Sequence, residues 1–186
     1  MDKFEIFNYM NIPKVNNVIA PTNMENAPLI NNEESLIKCT YFIKDYNETQ
    51  IINYRYKTNI NGDIENKTKI WNNNRRERVI YKAKFNKLGL NTIYFIVEKK
   101  LINMRFLFCE CSSLKQIKFI AAKTENVTDM ALMFFRCKEL EYIDLSDFNT
   151  SKAINMGSMF DGCHKLKEIK GINQFNTSNV TNGRYV

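Results

Sequence analysis

Apolar residues in the second half of the chain recur on a fixed period. Met104, Met130 and Met156 stand 26 apart (130 − 104, 156 − 130). So do Phe108, Phe134 and Phe160; Cys111, Cys137 and Cys163; Leu114, Leu140 and Leu166; and Ile117, Ile143 and Ile169. Five columns on one period mark stacked repeats, each burying its apolar face against the next. Within a unit the apolar positions fall at i, i+3, i+4 and i+7, as in Met104, Leu107, Phe108 and Cys111. That spacing predicts a two-turn helix with one inward face. Asn103, Asp129 and Asn155 precede the three methionines and suit the N-cap of such a helix. The segments 114–119, 140–145 and 166–171 share a Leu-x-x-Ile pattern and predict short strands with one buried face. Polar returns follow at 123–127, 149–153 and 176–180, carrying Thr124, Thr150 and Thr177. A hydroxyl repeated at one position lets neighbouring turns bond to each other.

Stacked in register, the three strands form a parallel sheet with rungs ~4.8 Å apart. Its outward columns read Lys115/Glu141/Lys167 and Lys118/Asp144/Lys170, with charge alternating from rung to rung. Opposite charges on adjacent strands favour this register. They also argue against a single-sign patch for nucleic acid on this face. A third column, Gln116/Tyr142/Glu168, holds an exposed aromatic, Tyr142. Lys115, Lys118, Glu141, Tyr142, Asp144, Lys167 and Lys170 are therefore the candidate partner-binding residues.

The rest of the chain reads differently. Residues 1–34, with Pro13, Pro21 and Pro28 and little periodicity, are expected to form an extended or partly disordered arm. Strand patterns then appear at 35–43, 49–56, 65–71, 78–85 and 91–99, with Asn61-Gly62 as a turn between the second and third. Residues 35–100 are expected to be a small, mostly antiparallel β module capping the repeat array, which occupies 101–186. The last unit is expected to present the edges of Met156, Met159, Phe160 and Leu166, open to a partner or a second copy.

At this point a family resemblance becomes specific. Asn-Met-x-x-Met-Phe-x-x-Cys-x-x-Leu-x-x-Ile, followed by Phe-Asn-Thr-Ser-Asn-Val-Thr, resembles the BspA-like leucine-rich repeats. The match covers residues 103–181 and is best at 155–169 and 175–182. It implies a right-handed solenoid, a binding role, often a cell-surface setting, and no catalysis. The first unit departs from it at Phe106-Leu107-Phe108 and Cys109, and Gly183 stands where Met is expected. Together with the periodicity, the expected fold class is an α/β solenoid: a short leucine-rich-repeat stack with parallel strands and short helices behind the β cap.

Composition narrows the chemistry. Among 186 residues, 27 basic side chains face 20 acidic ones for a net charge of +7, and the two signs interleave. Arg75, Arg76, Arg78, Lys82 and Lys84, beside Tyr81 and Phe85, form the best basic-aromatic stretch for nucleic acid or acidic lipid. The more ordinary reading is a charged loop running into an edge strand with alternating lysines. Cys109-Glu-Cys111 lacks the second cysteine pair of a structural zinc site. His164 falls in a polar column, and no nucleophile has a histidine partner by pattern. No catalytic, metal-binding or cofactor-binding residues are expected. No secretory signal or membrane span is evident, so the chain as written is expected to be soluble and cytoplasmic, with reduced thiols. A cell-surface location is expected if it is part of a longer adhesion-type protein. The expected function is a non-enzymatic protein–protein interaction module of leucine-rich-repeat type using the exposed strand face. The alternative is an anionic-surface binder using the basic 75–84 segment.

Overall fold

The computed structural model describes residues 18–19, 27–53, 68–72, 75–97 and 101–184. The strands run β1 (Val18–Ile19), β2 (Ser35–Ile43), β3 (Thr49–Gln50), β4 (Thr68–Asn72) and β5 (Arg75–Arg78). They continue with β6 (Lys82–Phe85), β7 (Gly89–Val97), β8 (Leu114–Ile120), β9 (Tyr142–Asp144) and β10 (Glu168–Lys170). A 3-10 turn at Ile172–Gln174 is the sole helical element among the described residues. The Asn61-Gly62 turn, the end of the 49–56 segment and most of the 1–34 arm lie outside the described residues.

Seven strands form one mixed sheet in the order β10-β9-β8-β2-β7-β4-β5, and β1-β6-β3 form a second, small one. The centre is β2, whose Cys39, Tyr41 and Ile43 are buried by strand alternation. It pairs antiparallel with β7 from Ser35↔Val97 to Ile43↔Gly89. Its other edge pairs antiparallel with β8, Cys39 opposite Ile117. From β8 outward the pairing turns parallel, Ile117↔Ile143↔Ile169.

This corrects the expected α/β solenoid of leucine-rich repeats with short helices. The described chain is essentially all β, and the repeat strands extend a sheet begun by residues 35–97. The segments expected to be helices are tandem turns. Phe106 and Glu110 sit at φ 63° and 60°, Leu132 and Arg136 at 58° and 57°, and Ser158 and Gly162 at 55° and 78°. Left-handed residues every fourth position cannot continue a right-handed helix. Their amides bond sideways instead. Met104, Phe106, Phe108 and Glu110 donate to the carbonyls of Asp129, Ala131, Met133 and Phe135 in the next unit. Met130, Leu132, Phe134 and Arg136 do the same to Asn155, Gly157, Met159 and Asp161. Asn103, Asp129 and Asn155 cap no helix; each side chain accepts from the amide two residues on, at 2.8, 2.9 and 3.2 Å.

The two ends of this ladder are occupied. Leu107 and Cys109 carbonyls, equivalent to those of Met133 and Phe135, accept from the Asn53 amide (3.0 Å) and from Gln50 Nε2 (2.9 Å). Residues 49–53 thus cover the first unit on the side away from the second. At the other end, Met156 and Ser158 amides donate to Asn182 and Arg184 carbonyls. A fourth turn therefore begins there, and Met156 and Met159 are buried, contrary to expectation, while Phe160 and Leu166 are half-buried.

Phenylalanine rings fill the interior. Phe108, Phe134 and Phe160 stack with centroids 5.9 and 5.8 Å apart and planes within 4°. Phe119 meets Phe108 and Phe134 edge-on at 6.4 Å, and Phe95 of β7 meets Phe108 at 6.0 Å. Each fully buried ring stabilises by ~1.5–3 kcal/mol, so this column ties the units to β7 as well as to each other.

Candidate partner-binding face

The outward side of β8, β9 and β10 brings all seven candidate residues together. Period-2 alternation turns Ile117 and Phe119 inward and leaves Gln116 and Lys118 on the opposite side, while Leu114 is also buried because the β2–β8 register shifts at Thr40/Tyr41 and skips Lys115. Parallel pairing then places Gln116, Tyr142 and Glu168 in one column and Lys118, Asp144 and Lys170 in the next. Column two continues onto β2, where Lys38 is opposite Lys118.

Within each column the central acid holds the lysines of both neighbours. Glu141 takes Lys115 Nζ at 3.0 Å on Oε1 and Lys167 Nζ at 3.7 Å on Oε2. Asp144 Oδ2 takes Lys118 Nζ at 3.3 Å and Lys170 Nζ at 3.7 Å. The hydrogen bond from Lys115, aided by its charge and that of Lys167, holds the Glu141 carboxyl below its usual range. For Asp144, burial pushes upward, but hydrogen bonds from the Ser146 hydroxyl and amide and from Lys118 outweigh it, and the carboxyl is also lowered. Both acids are therefore ionised at neutral pH.

The two signs are not equally presented. The Asp144 side chain is 4 % exposed, whereas Lys118, Lys167 and Lys170 are 51, 75 and 55 % exposed. Asp144 thus lies sunk between two presented lysines, whereas Glu141 stands level with Lys115, at 25 and 26 % exposed. Tyr142 is half-buried among these groups, so it offers a ring face and a hydroxyl at the centre. Lys115 also lies over the Phe42 ring at 5.4 Å, which fixes one corner of the face to β2. Sequence reasoning found the columns but missed this difference in depth, and missed Lys38 because nothing local pairs β2 with β8.

Other groups singled out by sequence fall elsewhere. Arg75, Arg76 and Arg78 lie on edge strand β5, and Lys82 and Lys84 lie on β6 of the smaller sheet. Arg76 is committed to buried Glu34 through two contacts, with its second amino group also donating to Leu29 O at 3.2 Å. The stretch is thus divided between two sheets, with its central arginine already engaged. His164 is exposed. The cysteines are free, and Cys137 and Cys163 donate to Phe108 and Phe134 carbonyls at 3.0 Å. Burial raises the thiols of Cys111 and Cys137 far above the ordinary value, and that of Cys163 to about 11. Protonated at neutral pH, they are poor nucleophiles and metal ligands. Thr124 and Thr150 hydroxyls each donate to the next unit's Asn carbonyl at 3.1 Å and accept its amide at 2.8 Å, tying the returns together. Among the described residues no group of three or more His, Cys, Asp or Glu converges on a metal-sized site, and no helix is long and apolar enough to cross a membrane.

Residues 77–186 match the model of a family described as "Mycoplasma protein of unknown function, DUF285". No curated protein and no solved structure matches the chain.

Proposed function

The chain belongs to the DUF285 family of Mycoplasma proteins, and from that premise we propose that it is a non-enzymatic protein-interaction module. The face it uses is the outward side of β8, β9 and β10, and the chemistry it suits is an acidic protein surface. The observation that carries this reading is the difference in depth between the two signs. Asp144 neutralises its column from below and Glu141 pairs its lysines at the surface, while Lys118, Lys167 and Lys170 remain the most exposed charges of these pairs. Such a face costs little to hold in place, because its lysines are pre-positioned by the ladder, and pre-positioned charge speeds encounter with a complementary partner. The resemblance of the repeat to the BspA-like family supports the same role.

A photo-crosslinking amino acid placed at Tyr142 in cells tests the proposal, with the same group at Lys82 for comparison. A discrete protein adduct at position 142, weakened by Lys167→Gln/Lys170→Gln and absent at position 82, is expected. Adducts that form equally at both positions, or at 82 alone, would remove the β8–β10 face from contention.

A further inference from the structure

The outward face does not stop at β8. Antiparallel pairing carries it across β2 onto β7, because Lys38, Thr40 and Phe42 alternate with the buried Cys39, Tyr41 and Ile43. On β7, Leu90 lies opposite Phe42, Thr92 opposite Thr40 and Tyr94 opposite Lys38. On β8, Gln116 lies opposite Thr40 and Lys118 opposite Lys38, and Lys115 sits over the Phe42 ring. Three rows of different chemistry therefore cross the sheet.

The first row is basic. Charge alternates along Lys170, Asp144 and Lys118, but Lys38 then repeats the sign of its neighbour. Like charges directly opposite each other destabilise a sheet. Asp144, the acid that holds Lys118, is only 4 % exposed, so an acidic group arriving from outside meets a row of lysines. The middle row is uncharged, with Thr40 Oγ1 and Thr92 Oγ1 3.5 Å apart and Gln116 beside them. The last row is apolar: Leu90 is 57 % exposed and Phe42 half-buried. A single exposed leucine is ordinary, but one paired across strands with a phenylalanine makes a contiguous patch. Beyond the lysine row the face is closed. Leu36, Tyr94 and Ile96 form a second small core there under Ile30, whose segment is clipped down by the Glu34–Arg76 pair.

We propose that a partner binds across β8, β2 and β7 through an extended segment with an acidic residue at i, an uncharged polar one at i+2 and a bulky apolar one at i+4. Lys38 and Lys118 receive the acid, and Phe42 and Leu90 receive the apolar side chain. The spacing follows from β2, where Lys38 and Phe42 stand four residues apart. That is ~13 Å along a strand, the distance spanned by same-side positions i and i+4 of an extended partner. The acid complements the lysine row, and the apolar side chain supplies the buried centre that an interface holds within a polar rim. This names the partner's chemistry for the outward-face reading and rests on that reading.

Nuclear magnetic resonance titration of the isotope-labelled full chain tests it, with the capped peptide Asp-Glu-Ser-Thr-Leu-Phe as probe. In an acid-only control Ser-Ser replaces Leu-Phe, and in an apolar-only control Ser-Asn replaces Asp-Glu. Saturable shifts at the amides of 38–42, 90–92 and 116–118 are expected with the probe below ~1 mM, the weak end of specific association. Each control should bind about fivefold more weakly, since it lacks one of the two contacts. Leu90→Ser and Lys38→Gln should each weaken the probe by a similar factor. Leu90 lies mostly in solvent, so its variant keeps the fold and decides the matter even where the Lys38 variant folds poorly. Equal binding of probe and acid-only control, or shifts confined to β9 and β10, overturns the proposal. So does a probe that gives no saturable shifts, or one indifferent to Leu90→Ser. Crosslinking at Tyr142 reads the outward face by itself, so an adduct there beside a negative titration sinks this extension and leaves that reading standing.

Discussion

Two glycines separate the cost of a backbone angle from the cost of a crowded site. Gly89 and Gly171 both sit in the left-handed region, at φ 86° and 87°. A methyl group on Gly89 would meet nothing within 4 Å, whereas one on Gly171 would lie 2.6 Å from Ser146 N and 2.7 Å from Leu145 C. The first substitution is charged only for the angle, ~1–2 kcal/mol for an L residue. The second adds overlap with backbone that cannot swing aside, a further ~1–3 kcal/mol in the manner of an overpacked core. Chemical denaturation should therefore place Gly171→Ala well below Gly89→Ala in stability. Equal losses would mean that the 145–146 backbone yields, and that β10 is not held as tightly against β9 as described. The same left-handed geometry explains the turns of the repeat. Gly162 takes it at no steric cost, while Arg136 and Glu110 take it in the equivalent places of the other units. Their carbonyl partners in the next unit hold them there.

At the scale of elements, burial was legible in the sequence and hydrogen-bond direction was not. Strand β2 occupies Ser35–Ile43 as its pattern predicts, and β7 falls at Gly89–Val97. The columns of Met, Phe, Cys, Leu and Ile point inward, as the 26-residue period requires. What failed was the backbone beneath them. Positions i, i+3, i+4 and i+7 say which side chains face the core, but a stack of neighbouring turns offers carbonyls that compete with the helical ladder. The available clue was Gly162, and Gly157 before it, inside a supposed two-turn helix. The candidate face was legible as columns, but the depth of each charge depends on its neighbours in space, such as Ser146 beside Asp144. That depth has a pH consequence. Asp144 has its pKa lowered by folding, so its contribution is present above the unfolded value and lost as pH falls through the folded one. Asp144→Asn should cost ~1–3 kcal/mol at pH 7, the range for a charged hydrogen-bond partner. The gap between variant and parent should narrow as pH falls below the ordinary aspartate value of ~3.9 and on through the lower folded one. Denaturation curves taken at steps from pH 7 down into acid check this, and a gap that does not narrow at any acid pH would assign the cost to packing.

For the whole molecule, the decisive joint is between β2 and β8. Sequence reading divided the chain at residue 100 into a cap and an array, yet the sheet runs across that boundary without a break. β8 has β2 on one edge and β9 on the other, and β2 overlies it from Leu36 to Tyr41. The Phe95–Phe108 contact and the amide of Asn53 on Leu107 O cross the same boundary. Later units offer much less area per strand, since β9 and β10 are three residues each, while β2 and β7 pair over nine. Short parallel strands with tandem turns gain little from local structure, so they rely on a preformed edge to stack upon. A fragment of residues 101–186 would expose the β2-facing edge of β8 and the Phe108 ring at once. It should lack cooperative unfolding and be cleaved rapidly by protease, whereas the full chain should melt the module and the repeat in a single transition. Isotope exchange would show the joint directly, with amides of β2 and β8 protected to the same degree. If the fragment unfolds cooperatively on its own, the repeat has a core that does not need residues 35–97, and the boundary at residue 100 is a true domain boundary.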